Sequence, residues 1–458
     1  MRLTRPNTLG LPGPSLWDLA RGFRTIGSEP LAFLEQTQSR YGDLVAFPMP
    51  GGPALLLGDP EAVRHVLQGN ARNWSKATLQ YSSLATVTGP GLLAVSDDRW
   101  LGRRRVAQPA FHHSRIDAVG ERVAEAGRRA VDSFLSQPDL GGCLANRAGR
   151  ELVDVDTLSL QVTLDVVGRT LFDRDLADVT GELVRATDEA ADLVVARGRS
   201  LPWPSWVPTS SNRRLRVAVG SLDDVCRRLV ADRRERGVSG RDTDLLGLLL
   251  AAGLPDDSIR DELVTMVVAG HETVASALTW TLMLLAEHPE AQQRLRAEVR
   301  AAGDRTAPRL REQLPWTRAV VDESLRLFPP GWVISRKAAA ADLVGGQAVP
   351  AGTLAIISPW LLHHDPRFWP EPGEFRPERF LGRPATNARP GYLPFGLGPR
   401  LCIGRDFALG ELTILLVELL RDHAVTLPAG WRRPACNAFV TLRPRGGLRL
   451  VIRPWPGR

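Results

Sequence analysis

The stretch Phe395-Gly396-Leu397-Gly398-Pro399-Arg400-Leu401-Cys402-Ile403-Gly404 places one cysteine in a short loop punctuated by glycines, with an arginine two residues before it. Glycine lets a backbone turn tightly and approach a bound group closely. The residues after the loop, from Arg405 to Arg421, read as a long apolar helix, so Cys402 lies just before a helix N-terminus. Because the helix dipole and nearby positive charge favour an anionic sulfur, we expect a lowered thiol pKa. A thiolate presented in this way suits a haem iron.

Two other interpretations of this loop are weaker. For a cysteine considered alone, a buried and inert thiol would be the better interpretation. A dinucleotide-binding loop is excluded, because Leu401 stands where a third glycine should fall and no strand-like run leads directly into the loop. Ten residues in register instead resemble the cysteine-ligand loop of the cytochromes P450, Phe-x-x-Gly-x-Arg-x-Cys-x-Gly, at every fixed position. The resemblance implies that Cys402 is the axial ligand of a haem b iron, with Phe395, Arg400 and Gly404 beside the haem.

Length and composition indicate one large enzyme domain. The chain has 458 residues, 43% of them hydrophobic, and shows no repeat, low-complexity linker or block of like charge. Cys143, Cys226, Cys402 and Cys436 are far apart, without the short paired spacing of a zinc site. A chain of this size needs no disulfide framework, so we expect a reducing, cytoplasmic location. Prolines in the first 14 residues interrupt any apolar helix that a signal peptide or membrane anchor would need.

The pattern along the chain is similar to the P450 architecture, which is mainly α with a small β region. Helical periodicity runs almost throughout residues 115–300, with breaks near 202–204 and 237–242. We expect a single P450 domain, residues 1–458. Its β-rich part should lie in about residues 1–100. Its mainly helical part, which contains the haem loop, should lie in about residues 101–458. Short local patterns predict a helix at 61–67 and strands at 44–47, 54–57, 353–357 and 448–452.

The longest apolar stretch, Leu263 to Leu285, carries Ala269-Gly270-His271-Glu272-Thr273 near its middle, so it fits a buried central helix better than a membrane span. Glycine and polar residues there are locally costly, which indicates a functional site. The segment resembles the P450 central-helix pattern of a small residue, Gly, x, an acid and Thr. The resemblance implies that Ala269 and Gly270 let the helix pass close over the haem, while Glu272 and Thr273 assist dioxygen activation and proton delivery. The alternative is a threonine bonded to its own helix and a glutamate paired elsewhere.

Two segments together imply a buried charge cluster under the haem loop. Glu323 and Arg326 lie three residues apart on one helix face, a spacing that by itself is common on protein surfaces. The segment Phe375-Arg376-Pro377-Glu378-Arg379-Phe380 resembles the meander signature of the family, whose arginine completes a triad with that helical pair. The resemblance therefore implies a structural triad of Glu323, Arg326 and Arg379.

Two further segments resemble those that bind the haem carboxylates in the family. Residues 100–104 match the Trp-x-x-x-Arg helix, and residues 332–336 match a strand that supplies another arginine. The planar fork of arginine suits carboxylates, which it can bind through two hydrogen bonds. For each arginine a solvated surface charge is the alternative, and it is the better interpretation for Arg103 and Arg105. The implied propionate clamp consists of Trp100, Arg104, Arg336 and Arg400.

The resemblance implies a haem-thiolate monooxygenase that uses dioxygen and two external electrons. The presence of both Glu272 and Thr273 favours true dioxygen activation over peroxide use. Since the sequence carries no flavin or iron–sulfur motif, we expect electrons from NAD(P)H through a ferredoxin reductase and a ferredoxin. The net charge of +7, with Arg103 to Arg105 and Arg405 expected near the cysteine side, favours an acidic ferredoxin. Nucleic-acid binding is a poor alternative, because the arginines are scattered and acids nearly balance them.

Correspondence with the family predicts an apolar substrate pocket, although some of its residues fit ordinary core equally well. Residues 76–81, 267–280 and 395–409 resemble a bacterial P450 that hydroxylates the β-ionone ring of carotenoids. We therefore expect ring hydroxylation of β-carotene or a related carotenoid, with at most transient contact with a membrane surface. The predicted pocket residues are Leu79, Gln80, Leu92, Leu93, Met266, Val267, Trp332, Val333, Ile334, Phe439 and Val440.

Two alternatives to the carotenoid hypothesis stay open. The first is another P450 substrate, namely a terpene, a fatty acid or a macrolide precursor, because one pocket substitution can redirect the reaction without changing a motif. The second is a haem-binding sensor without turnover. Glu272 and Thr273 argue against the sensor, since ligand binding alone would not need that pair.

Overall fold

The architecture was established from a computed structural model. It describes residues 9–49, 52–136, 144–146, 150–173, 186–187, 189–190, 193, 207–237, 239, 244–303, 313–382 and 389–455. Cys143 and the predicted break at 202–204 lie outside the described residues. In the predicted break at 237–242, the preceding helix ends at Arg236 and Gly237 has a φ of 88°.

Helices make up most of the described chain, which confirms the mainly α prediction. The predicted helix at 61–67 is a short α-helix followed by one turn of π-helix, His65–Gly69. The α-helices are α1 (Leu16–Ser28), α2 (Pro30–Tyr41), α3 (Pro60–Arg64), α4 (Leu79–Thr88), α5 (Asp97–Ala107), α6 (His113–Ser136), α7 (Val155–Leu171), α8 (Ser210–Arg236), α9 (Leu245–Ala251), α10 (Asp256–Glu287), α11 (Pro289–Ala302), α12 (Pro315–Leu327), α13 (Pro359–His364) and α14 (Arg405–Asp422).

The strands form one five-stranded sheet, one four-stranded sheet and two hairpins in the described part of the chain. The larger sheet has the order β1-β2-β9-β6-β3, so strands near the start of the chain pair with strands from the second half. The strands are β1 (Leu44–Met49), β2 (Gly52–Leu57), β3 (Trp74–Ser75), β4 (Leu144–Asn146), β5 (Arg150–Asp154), β6 (Ile334–Ala338), β7 (Asp342–Val344), β8 (Gln347–Val349), β9 (Leu354–Ile357), β10 (His423–Thr426), β11 (Cys436–Ala438), β12 (Leu442–Pro444) and β13 (Arg449–Pro454).

The four strands predicted from the sequence are present, and β4 and β5 are among the strands that were not predicted. Residues 144–154 fall inside the region that periodicity predicted to be helical. In the structure β5 pairs with β13, so that Leu152 faces Val451 and Val153 faces Leu450. The prediction was wrong here because the pairing partner lies near the far end of the chain, which a local pattern cannot show.

Helix α10 is the central element and positions the site. It begins after Pro255, with Asp256 and Asp257 in a first turn where carboxylates suit the helix dipole. It ends at Glu287, just before Pro289 starts α11. Every residue from 274 to 286 is buried, as expected for a helix enclosed by α7, α12 and α14. The described residues contain no helix that is long and apolar enough to span a bilayer.

Candidate functional site

The loop around Cys402 is shaped by two glycines in left-handed conformation. Gly396 and Gly398 have φ angles of 73° and 71°, a region that strains other residues. A Cβ atom on Gly398 would also lie closer than 3.0 Å to the Leu67 carbonyl oxygen, so the loop packs directly on the backbone of another segment. The Cys402 N–H donates to the Phe395 carbonyl oxygen at 3.0 Å, which closes the loop. The backbone of this loop therefore fixes the position of Cys402.

The pKa of the Cys402 thiol differs from the sequence prediction. Helix α14 begins at Arg405, so Cys402 does lie just before a helix N-terminus. Protein atoms around the sulfur nevertheless raise its pKa above the ordinary value, although the Gly404 N–H and the charges of Arg104 and Lys76 act in the opposite direction. The expectation of a lowered pKa was wrong for the polypeptide, because the sequence shows nearby charges but not lost hydration.

Arg400 and Arg104 lie together beside Trp100, as predicted for the propionate clamp. The guanidinium carbon of Arg400 is 4.0 Å from the Trp100 ring centroid, and that of Arg104 is 5.5 Å from it. Arg104 Nη1 donates to the Leu401 carbonyl oxygen at 2.9 Å, and Arg400 forms an ion pair with Asp97. Arg400 Nη1 is buried and has no hydrogen-bond partner among the described residues. This donor is available to an anion.

Arg336 joins the same cluster from β6, and so does Lys76, which sequence reasoning did not single out. Arg336 Nη1 donates to the Tyr81 hydroxyl oxygen at 3.2 Å, and Lys76 Nζ lies 4.6 Å from the Tyr81 ring centroid. Burial, Arg336 and Arg400 together hold the pKa of Lys76 well below its usual range. The sequence contained one signal for Lys76, which is its composition: Lys76 is one of two lysines in a chain rich in arginine.

The cluster fits the carboxylates of a haem. Cations buried together are unfavourable unless anions join them, and Asp97 supplies only one carboxylate to Lys76 and Arg400. Arg400 Nη1 adds an unused donor within the part of the chain that is described. Haem propionates would supply the anionic oxygens, and the Cys402 sulfur would be the axial ligand.

The centre of α10 carries the residues predicted for dioxygen activation. The Thr273 hydroxyl donates to the Ala269 carbonyl oxygen at 2.8 Å, which is the intrahelical bond of the alternative interpretation. A Cβ on Gly270 would lie 3.4 Å from a Val167 methyl carbon on α7, which is an ordinary van der Waals contact, so packing against α7 does not by itself require this glycine. Glu272 is 3% exposed. Burial lowers the pKa of the neighbouring His271 to about 4, so that imidazole is neutral.

The predicted triad is assembled in the structure. Glu323 and Arg326 are both fully buried and form two hydrogen bonds of 2.8 Å. Arg379 Nε reaches the same Glu323 carboxylate at 3.3 Å. Arg326 Nη1 also donates to the carbonyl oxygens of His363 and Pro372 at 2.8 and 2.7 Å. The guanidinium thus joins α12 to the meander that leads to the haem loop.

Several predicted pocket residues meet at the start of α4. Gln80 Nε2 donates to the Val333 carbonyl oxygen at 3.3 Å, and its Oε1 accepts from the Ser335 hydroxyl at 2.6 Å. Trp332 Nε1 donates to the Phe439 carbonyl oxygen at 2.9 Å. The segment 332–335 is therefore hydrogen-bonded both to α4 and to the turn between β11 and β12, which also contains Val440.

The other predicted pocket residues differ in their exposure to solvent. Leu92, Met266 and Val267 are buried, at 7%, 6% and 3% exposure. Leu93 is half-buried, and its carbonyl oxygen accepts from Lys76 Nζ at 3.1 Å. Ile334 lies beside the haem loop, 3.8 Å from the Cβ position of Gly396. Leu79 differs from these residues, since 74% of it is exposed. Whether these residues line a substrate pocket stays a prediction.

Arg103 corrects the sequence analysis. It was interpreted as a solvated surface charge, but its side chain is only 11% exposed and its Nη1 lies 2.9 Å from Oε1 of the buried Glu262. Arg105 is exposed, as expected. The sequence could not show the pairing because α5 and α10 are far apart in the chain. An acid within the first two turns of an apolar helix was the available signal.

Comparisons with known proteins show the family of this chain. A family model described as Cytochrome P450 matches residues 11–449. Protein LUTEIN DEFICIENT 5, chloroplastic, of Arabidopsis thaliana is 32% identical, covering 87% of this chain and 70% of its own length. Cyclooctat-9-en-7-ol 5-monooxygenase of Streptomyces melanosporofaciens is 33% identical, with coverage of 97% and 92%. CYP175A1 from Thermus thermophilus, known from a crystal structure, is 30% identical in sequence to this chain. The two structures align with a TM-score of 0.78, and the alignment covers 97% of this chain and all of that one. The chain therefore belongs to the cytochrome P450 monooxygenase family.

Proposed function

We propose that this P450 hydroxylates the β-ionone ring of a carotenoid such as β-carotene. The observation that carries the proposal is the hydrogen-bonding state of Gln80, the one polar side chain among the predicted pocket residues apart from the Trp332 indole. Both ends of its amide are already bonded, to Val333 and Ser335. The Trp332 N–H is also used, by Phe439. The predicted lining thus offers apolar surface and few free polar groups, which favours an oxygen-poor hydrocarbon.

The relatives support the same class of substrate. The name of the Arabidopsis protein refers to lutein, a hydroxylated carotenoid, and that protein is similar over 87% of this chain. The Streptomyces relative is named as a monooxygenase of a terpene alcohol. Since carotenoids and terpenes are both isoprenoids, a smaller terpene is the second candidate substrate. The length of a carotenoid requires a channel for the polyene, which a terpene does not.

The residues of the site divide the work of the reaction. Haem, when bound, supplies the oxygen chemistry, and the protein supplies its ligand, anchoring and proton delivery. Cys402 would be the axial ligand, while Lys76, Arg336 and Arg400 would hold the propionates. The Thr273 hydroxyl and the Glu272 carboxyl would deliver protons from the α10 side. The burial of Glu272, at 3% exposure, would keep bulk water from delivering protons in an uncontrolled way.

We also propose a ferredoxin as electron donor, with NAD(P)H as the source through a reductase. Arg105 is exposed on α5, the helix whose Arg104 contacts the cysteine loop. Arg405 lies at the start of α14 on the other side of that loop, although Asp406 pairs with it at 3.2 Å. An acidic protein would be attracted to this side of the molecule. The attraction should weaken as ionic strength rises.

The test is pigment analysis of cells that make β-carotene and carry this gene with a ferredoxin and its reductase. Chromatography with mass detection should show new hydroxylated carotenoids, which should be absent with Cys402→Ser. Unchanged pigment, together with a normal carbon-monoxide spectrum of the reduced protein, would refute the carotenoid proposal. Terpene alcohols would then be tested as substrates of the purified protein with the same ferredoxin and reductase.

A further inference from the structure

The segment between α4 and α5 lies directly on the first turns of α10. A Cβ atom on Gly91 would be 2.5 Å from the Asp261 carbonyl oxygen and closer still to the Thr265 hydroxyl. At Gly89, a Cβ would meet the Asp261 carboxylate just as closely. Both positions therefore need glycine: Gly91 lies against the backbone of α10, and Gly89 combines its contact with the Asp261 side chain with a φ of 67°.

Hydrogen bonds from α10 hold both sides of this contact. Arg260 Nη2 donates to the Val87 carbonyl oxygen at 3.1 Å, where α4 is about to end. Glu262 Oε2 accepts the Leu92 N–H at 3.0 Å. The other carboxylate oxygen, Oε1, accepts from Arg103 Nη1 on α5 at 2.9 Å, and Arg103 Nη2 also donates to the Ser258 hydroxyl oxygen at 3.1 Å. One carboxylate thus binds two different elements.

This carboxylate is well buried, at 1% exposure. Removing a charge from water is costly, and a well-packed apolar pair of similar volume could join two helices without that cost. An apolar side chain could not, however, accept the backbone N–H of Leu92 while it also fixes α5. The Glu262 carboxylate therefore fixes the position of a loop backbone. Packing between two helices alone would not need such a charged group.

The segment that Glu262 fixes leads directly to the predicted site. Leu92 and Leu93 are both predicted to line the substrate pocket, and the Leu93 carbonyl oxygen accepts from Lys76 Nζ at 3.1 Å. On the other side, Arg103 precedes Arg104, which contacts the cysteine loop. The two oxygens of Glu262 thus reach a predicted pocket wall and the helix that carries part of the propionate clamp.

We infer that Glu262 and Arg103 are positioning residues, which hold the segment 89–95 against α10 and thereby set the substrate wall formed by Leu92 and Leu93. The inference rests on the proposed pocket, and it concerns substrate binding more than the chemical step. Glu272 and Thr273 lie about 15 Å further along α10, since a helix rises 1.5 Å per residue. Loosening the segment should therefore raise KM while kcat changes little.

The first measurement is hydrogen exchange of the haem-loaded protein, followed by mass spectrometry of peptides that contain residues 89–95. Glu262→Gln keeps the side-chain volume, but its amide cannot accept from both Leu92 and Arg103. Loss of a hydrogen bond to a charged group should speed exchange of this segment by about tenfold to a hundredfold. Arg103→Lys, which keeps the charge, should show a smaller change. Arg99→Met on the exposed side of α5 is the control.

The second measurement separates binding from chemistry with a different perturbation. Gly91→Ala pushes the segment off α10 without touching the ion pair, whereas Gly102→Ala on α5 meets no atom within 4 Å in the described structure. Gly91→Ala and Glu262→Gln should each raise KM for β-carotene about tenfold, with kcat within about twofold of the parent. Gly102→Ala should match the parent in both constants.

Three results would overturn the inference. One is unchanged exchange of residues 89–95 in Glu262→Gln. Another is faster exchange with an unchanged KM, which would make the pair merely structural. The last is a kcat that falls as much as kcat/KM. If the parent protein does not oxidise β-carotene, the proposed substrate fails separately, and the binding constant of 4-phenylimidazole, measured from the visible spectrum, replaces KM in the same comparison.

Discussion

Replacing Arg326 by alanine should prevent formation of a stable haem protein. Its guanidinium is fully buried and forms two 2.8 Å hydrogen bonds with the equally buried Glu323. It also donates to the carbonyl oxygens of His363, Pro372 and Glu374 at 2.8, 2.7 and 3.0 Å. Alanine removes all of these donors at once, while the carboxylate and the carbonyl groups remain in place.

The expected loss of stability is a large part of the total. Breaking one side of a buried ion pair costs about 3–5 kcal/mol, because the remaining charge has lost its partner. Each carbonyl oxygen left without a donor adds about 1 kcal/mol or more. Arg379, at 3.3 Å from Glu323, offsets part of this loss. The sum of about 5–7 kcal/mol compares with a total free energy of unfolding of about 5–15 kcal/mol for a typical protein.

The assay is haem content per polypeptide together with the urea midpoint of unfolding. Arg326→Ala should yield little haem-loaded protein, and Arg326→Lys should be intermediate, since one ammonium group cannot reach every acceptor. Arg376→Met is the matched control, because that side chain pairs with Glu371 at the surface, with 52% and 62% of the two side chains exposed. The control should change stability by at most about 1 kcal/mol.

Normal haem content and a urea midpoint equal to the control in Arg326→Ala would refute this reasoning. Such a result would mean that water enters the cavity and satisfies Glu323 and the three carbonyl groups at low cost. A low haem content with an unchanged midpoint of the polypeptide would also contradict it, since the argument places the loss in folding energy.

Three further predictions concern separate parts of the site. Thr273→Ala should lower the amount of product formed per reductant oxidised by about tenfold or more, while its haem content stays normal. Thr273→Ser should keep most of the parent's product yield per reductant. Equal yields in the two variants would contradict the proposed role. Lys76→Met should speed haem transfer to apomyoglobin at least about tenfold relative to the exposed control Lys337→Met, and equal rates would exclude a propionate contact. Burial lowers the pKa of His271 from 6.5 to about 4. The protein should therefore lose about 2 kcal/mol of stability as the pH falls from 7.5 to 5, because the unfolded chain binds a proton at this residue that the folded chain does not. His271→Phe should therefore flatten the pH dependence of the urea midpoint, and an unchanged slope would refute this.

The sequence predicted the fold class and the haem loop because both depend on local chemistry. A tight turn requires glycine where φ is positive, so the spacing of Gly396 and Gly398 around the cysteine carries its own structural reason. The strand at 353–357 and the central helix likewise follow from short-range apolar patterns. In the triad, only the Glu323–Arg326 spacing is local, and Arg379 was reached through the resemblance of its segment to the family.

Features that depend on distant segments were missed. Strand β5 pairs with β13, and Glu262 pairs with Arg103, which is 159 residues away. The raised thiol pKa of Cys402 has the same origin, since its largest cause is the loss of hydration produced by surrounding protein. Lys76 enters the cationic cluster only because folding brings it near Arg336 and Arg400, which lie far away in the chain. In each case a local pattern contained the group but not its surroundings.

The centre of α10 shows which residue best separates an enzyme from a haem-binding sensor. The bond from the Thr273 hydroxyl to Ala269 is one that threonine commonly makes in any helix, so its presence favours neither function. His271 satisfies its Nδ1 within the helix, and its buried Nε2 has no partner in the described structure, a cost that serves no evident contact. Glu272 differs from both, because it places a carboxyl group at 3% exposure, which is costly unless that group is paired. Under the proposed function that carboxyl group would deliver protons, a role that a haem-binding sensor does not need, so Glu272 is the residue that best separates the two functions.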